Sequence, residues 1–214
     1  LRKRFIEVKT LEAIEQDTTQ VISLGAGFDT LAWRLHSRYP SVQFVEIDHP
    51  ATSREKTEAF SRSGLSPENL RFLAVDLTEH DLAGVLAEND CFDPNKKTLF
   101  ICEGVLMYLN LGAVTMLFKT LKQFNSQSNF VFTAIAPMDS RNNNASWLLK
   151  LYLKIKNEPL SWSIEQAEIE TFLKEQGYDL LDSADGVEMY LRFLGASPKR
   201  KIHCGEFAIA SKAS

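Results

Sequence analysis

Short runs rich in β-branched and aromatic residues alternate with longer runs of helical period from Gln20 to the end of the sequence. Such alternation is the pattern of βαβ units, in which a crossover helix returns the chain to begin the next parallel strand. The periodicity places strands at 20–24, 43–47, 70–75, 98–103, 130–136, 179–182 and 203–211. Helices are expected over 30–38, 50–63, 111–124, 145–156 and 164–176. Gly64 and Gly177 fall where helices must stop, and Ser163 with Gln166 reads as a capping box for the helix that follows.

Composition narrows the class. The 214 residues suit one domain, 1–214, and 44% hydrophobic with 24% charged residues is the balance of a soluble globular protein. A net charge of -4 argues against a nucleic-acid partner, which calls for a clustered basic face. No window approaches the roughly 18 apolar residues of a membrane span, and the basic stretch LRKRF is not followed by a signal-peptide core. A cytoplasmic protein without a membrane partner is the expectation. Cys91, Cys102 and Cys204 lack CxxC or Cys/His spacing, so reduced thiols and no metal are expected.

The chemistry concentrates at strand ends. The first apolar run breaks at Gly25-Ala26-Gly27, where glycine admits positive φ and lets backbone approach a ligand. Asp29 and Thr30 then open a helix, both good N-cap types, so its free amides face the same opening. The second strand ends FVEIDHP, with Asp48 about 20 positions past the glycine turn, where Rossmann-type folds put the carboxylate that takes the ribose hydroxyls. The third ends FLAVDL, so that Asp76 can accept from an adenine amine while Leu77 covers the ring. The fourth ends FICEGVLMYL, with Glu103 after another apolar run. One acidic residue after a strand is ordinarily a solvated cap; an ordered set on one sheet edge points to a nucleoside-bearing cofactor.

NAD and S-adenosylmethionine compete for this pattern. A dinucleotide needs its pyrophosphate at the helix N-terminus and usually a third glycine, where this sequence has Thr30, and Asp29 would set a negative charge beside the diphosphate. S-adenosylmethionine carries an ammonium and a sulfonium, which carboxylates favour. The closing run HCGEFAIAS follows a connection with room for one short helix and ends as a strand, the way a class I methyltransferase sheet closes. The expected fold is therefore α/β and Rossmann-like: a seven-stranded, mostly parallel sheet with an antiparallel last strand and helices on both faces.

LGAGFDTLAWRL, FVEIDHPATSREK, FLAVDL and ICEGVLMYL, in this order and spacing, resemble the leucine carboxyl methyltransferase family over residues 2–136. The resemblance implies an S-adenosylmethionine-dependent O-methyltransferase. It implies that Gly25, Ala26 and Gly27 lie against the methionine moiety, that Asp48 holds the ribose with His49 beside it, that Asp76 and Leu77 contact the adenine, and that Glu103 stands at the cofactor's methionine end. An upstream arginine would hold the cofactor carboxylate, with Arg4 as the candidate and Arg2 as the alternative. The longer phosphatase-directed members carry insertions that build a peptide-tail site. This chain has little room for them, which favours a small-molecule acceptor over a peptide C-terminus.

Methyl transfer from a sulfonium is an in-line displacement that needs positioning and no enzyme nucleophile. A carboxylate acceptor, with a reference pKa of ~4, is ionised at pH 7 and needs no base, whereas a hydroxyl does. Tyr108, His49 and Arg141 are the candidates for acceptor-side chemistry, Arg141 as an anion holder; His36, His80 and His203 read as surface or strand positions. The rival readings are a Rossmann-type NAD-binding oxidoreductase and a non-catalytic module that keeps the methyltransferase fold.

Overall fold

The computed structural model describes residues 1–62, 64, 67–77, 80–124, 128–144, 160–195, 202 and 205–214. Its strands are β1 (Gln20–Leu24), β2 (Gln43–Asp48), β3 (Leu70–Ala74), β4 (Thr98–Cys102), β5 (Asn129–Ile135), β6 (Tyr178–Asp185) and β7 (Glu206–Ala213). They form one sheet in the order β3-β2-β1-β4-β5-β7-β6. β7 runs antiparallel between β5 and β6, and the pairs among β1 to β5 are parallel. This is the expected class I arrangement.

Every residue of β4 and β5 is buried, which is why both read as unbroken apolar runs: helices cover both faces. The strand period of two sorts these residues between two cores. Ile22, Phe100, Cys102, Phe130 and Phe132 face α4 (Leu82–Ala87), α5 (Leu111–Phe124) and α6 (Ile169–Gln176). Val21, Leu99, Ile101 and Val131 face α1 (Arg2–Glu15), α2 (Leu31–Leu35) and α7 (Gly186–Leu194). α3 (Pro50–Ser61) lies along the β2–β3 edge, with Phe60 stacked on Phe72 at 5.2 Å.

Phe118 of α5 is the hub of the first core. It meets Phe130, Phe132, Phe172 and Tyr178 edge-on at centroid distances of 5.0–5.4 Å, each pair worth about 0.5–1.5 kcal/mol beyond area burial. The buried Tyr178 hydroxyl donates to the Phe118 carbonyl at 3.0 Å. These contacts fix α5, whose opposite side forms a wall of the site described below.

Several boundaries differ from the periodicity. The expected helix over 30–38 is α2, only Leu31–Leu35, because the chain turns at once toward β2. The expected 164–176 helix begins as a 3-10 turn at Gln166–Glu168 before α6. Its capping box is Glu165 with Glu168, two residues past Ser163: the Glu168 carboxylate accepts from the Glu165 amide. α1 and α4 escape the periodicity, while α7 is the one short helix expected in the connection before the last strand. α1 mixes buried Phe5, Ile6 and Ala13 with charge on nearly every turn, so its apolar stripe is too thin to read. The expected 145–156 helix, His203 and Cys204 lie outside the described residues. Cys91 and Cys102 are free thiols, and burial pushes Cys102 up to about 12.

Candidate active site

The turn after β1 is closed by the neighbouring strand. The Gly25 and Ala26 amides donate to the Ile47 carbonyl at 2.8 and 3.3 Å, and Gly27 N–H donates to the Asp48 carboxylate. Gly25 and Gly27 both have positive φ, 64° and 52°, for different reasons. A Cβ on Gly25 would lie 2.4 Å from Val105 Cγ2, so this position needs glycine for close packing as well as for conformation. A Cβ on Gly27 would meet nothing within 4 Å, so the demand there is conformational alone.

Asp48 ends β2 with its second oxygen accepting from the His49 amide at 2.7 Å. His49 caps α3: its Nδ1 accepts from Ala51 N–H at 3.2 Å, which puts the proton of the neutral ring on Nε2. That Nε2 lies 3.7 Å from Asp76 Oδ2, so the second and third strand tips meet across the site.

Gly25, Asp48, His49, Asp76, Leu77 and Tyr108 line one cleft of about 630 Å³ at the carboxyl ends of the strands. This is where open α/β sheets bind their ligands. Val105, Leu109 and Met116 complete a largely apolar wall, and the Tyr108 ring is 45% exposed on it. The periodicity placed a helix over 111–124 without giving it a role at the site; in the structure α5 adds Ala113, Met116, Leu117 and Thr120 to the wall.

On the other side of Gly25 lies a second, much smaller cavity of about 40 Å³, lined by Lys3, Ala26, Asp29, Glu46 and Glu103 among others. Glu103 is nearly buried and takes two cations from the first turn of α1: Arg2 Nε at 2.6 Å and Lys3 Nζ at 2.9 Å. Arg2 also pairs with Glu206 of β7, and Lys3 with Asp29. The upstream cation at Glu103 is thus Arg2, with Lys3, whereas Arg4 is exposed.

Asp29 is the decisive side chain of the turn. Its Oδ1 accepts from Leu31 N–H, the first free amide of α2. Burial alone would raise its pKa, but the Lys3 ammonium and the Leu31 amide outweigh that and hold it below the usual carboxylate range. Beneath the turn, Glu46 of β2 pairs with Lys56 of α3, both about 95% buried. Burial pushes Glu46 up to about 7 against the pull of Lys56, with Asp29 and Asp48 adding to the push.

Arg141 stands apart. It lines a separate cleft of about 700 Å³ with Glu165, Gln166, Ser183 and Glu188, whose polar groups largely bond one another. The polar loop after β5 therefore does not bring Arg141 to the strand-tip cleft.

With this geometry in place, the sequence profile of the leucine carboxyl methyltransferase family matches residues 1–122, more than half of the 214. The chain belongs to the leucine carboxyl methyltransferase family. Among its relatives, a protein of Mycobacteroides abscessus that carries the name of an S-adenosyl-L-methionine-dependent methyltransferase is 32% identical over 131 residues, 61% of this chain and 43% of the other. One of Frankia alni with the same kind of name is 33% identical over 138 residues, 64% and 44%. The match spans less than half the length of these relatives.

Solved structures carry the fold of this family member further along the chain. Magnesium protoporphyrin IX methyltransferase from Synechocystis, with bound SAH, superposes with a TM-score of 0.60 over 99% of this chain and 81% of its own, at 12% identity. Human N-acetylserotonin methyltransferase, in complex with SAM, gives 0.57 over 97% and 51%, at 17% identity. At such identities the likeness speaks for the fold.

Proposed function

We propose that the strand-tip cleft binds S-adenosylmethionine and that the protein transfers its methyl group to an oxygen, most readily a carboxylate, of a small molecule or peptide C-terminus. One observation carries the choice of cofactor: the Asp29 carboxylate caps the first free amide of α2, where a dinucleotide would set its pyrophosphate. That end of the site repels phosphate and suits a cationic ligand. Family membership supports the same reading.

When bound, the cofactor supplies a methyl group already activated on a sulfonium. The chain's own residues have the task of binding and orienting. Asp48 takes the ribose hydroxyls from its place against the glycine turn, with His49 beside it. Asp76 and Leu77 hold the adenine in the apolar cleft. Glu103 takes the ammonium end, and the neighbouring Arg2, rather than Arg4, takes the carboxylate. Gly25, Ala26 and Gly27 leave the backbone bare beside the amino-acid chain.

A carboxylate acceptor arrives ionised and needs only alignment and exclusion of water. The capping role of His49 favours this class, because its Nδ1 is engaged by the Ala51 amide and is not free to serve as the base a hydroxyl acceptor would need. Tyr108, exposed on the cleft wall, is the acceptor-side contact we assign. Residues 1–214 act in this reading as one cytoplasmic domain.

Isothermal titration with S-adenosylhomocysteine, with NADH as control, tests the reading. Binding of the former alone is expected; binding of NADH alone would replace it with the oxidoreductase reading.

A further inference from the structure

The two cavities that share Gly25 differ in volume by more than tenfold, about 630 against about 40 Å³. The smaller has room for little more than one water molecule. Lys3 fills it. Its ammonium lies between the carboxylates of Glu103 and Asp29, whose side chains are only 10% and 18% exposed, while the Lys3 side chain itself is 58% exposed. Burial alone would lower the Lys3 pKa, but Asp29 and Glu103 together raise it, so the ammonium stays charged at neutral pH.

We propose that Lys3 is an internal stand-in for the α-ammonium of the cofactor, occupying its place until the ligand displaces it. The argument rests on the reading of the cleft as an S-adenosylmethionine site. A lysine ammonium and an α-ammonium are the same chemical group, a single positive charge with three N–H donors, and a carboxylate pair that satisfies one satisfies the other. The exposed stem makes the exchange cheap: Lys3 rotates into solvent without moving α1. Glu103 stays aimed throughout, because Arg2 holds its other oxygen and is itself held by Glu206.

Lys3 thereby sets the affinity for every ligand with an amino-acid tail and leaves alone those that end at the nucleoside. Donor and demethylated product both carry the ammonium, so both are weakened by the fraction of molecules in which Lys3 is in place.

The test compares S-adenosylhomocysteine with 5′-methylthioadenosine, which keeps adenosine and sulfur but lacks the amino acid, by calorimetric titration of the wild type, Lys3→Met and Lys3→Gln. Both variants are expected to bind S-adenosylhomocysteine about three- to tenfold more tightly, the range for releasing an exposed ion pair from competition, with methylthioadenosine unchanged. Weaker or unaltered S-adenosylhomocysteine binding in the variants would overturn the stand-in role and make Lys3 a ligand contact or a bystander. Failure of both ligands to bind any of the three proteins would instead overturn the cofactor assignment itself.

Discussion

Two lysines flank the glycine turn, each against carboxylates, and they do opposite things. Lys56 and Glu46 are shut away beneath the turn at about 5% exposure, with β2 on one side and α3 on the other. Lys3 reaches over the top from a side chain more than half exposed. A buried pair has no water to fall back on, so it fixes the link Asp48-His49-Pro50 that joins its two elements. A lysine more than half exposed exchanges its partners for solvent at little cost, so it is suited to giving way. Burial, not contact distance, separates the part of the site that must hold from the part that must yield.

Breaking the buried pair should have the largest effect. Lys56→Met strands the Glu46 carboxylate and is expected to lower unfolding stability by about 3–5 kcal/mol at pH 8. The loss should shrink toward pH 5. Glu46 has a folded pKa of about 7, above its unfolded value, so the folded state favours the protonated form; the group's stabilising contribution is fully present below the unfolded pKa and is lost as pH rises through about 7. Denaturant titrations at the two pH values check this, and an equal loss at both would remove Glu46 from the explanation.

Asp48 stands between the two regimes, anchored by the Gly27 and His49 amides yet facing the cleft. Asp48→Ala should weaken S-adenosylhomocysteine binding by about 1.5–3 kcal/mol, the range for losing charge-assisted hydrogen bonds. An unchanged dissociation constant would sink the ribose assignment. Gly27→Ala should destabilise the fold by about 1–2 kcal/mol through its left-handed backbone alone, since the added methyl meets nothing. Lys3→Met sits at the bottom of the scale, with less than about 1 kcal/mol on unfolding despite its effect on binding. A larger loss of stability there would erase the contrast between the two lysines.

The sheet was legible because β4 and β5 are buried on both faces and their composition says so directly, and because the acidic residues at 48, 76 and 103 follow such runs. The cleft residues Gly25, Asp48, His49, Asp76 and Leu77 were readable for the same reason: each sits within a few residues of a strand end. What periodicity could not convey was the reach of long side chains between distant elements. Arg2 meets Glu103 across 101 residues and Glu206 across 204, and nothing local distinguishes Arg2 or Lys3 from Arg4 in RKR. Arg141 lies elsewhere for the converse reason: its loop follows β5 at the correct edge but lines a cleft with β6 and α7.

The position of β7 bears on how the molecule assembles. It follows β6 in the chain, yet it lies between β5 and β6 and pairs on both sides, Asn129 with Lys212 and Tyr178 with Ala213. During synthesis β5, seven buried residues long, therefore waits with one edge open until β7 arrives. An unpaired edge of that length invites association with another chain, so folding of this sheet should be slow to commit and sensitive to crowding by its own copies.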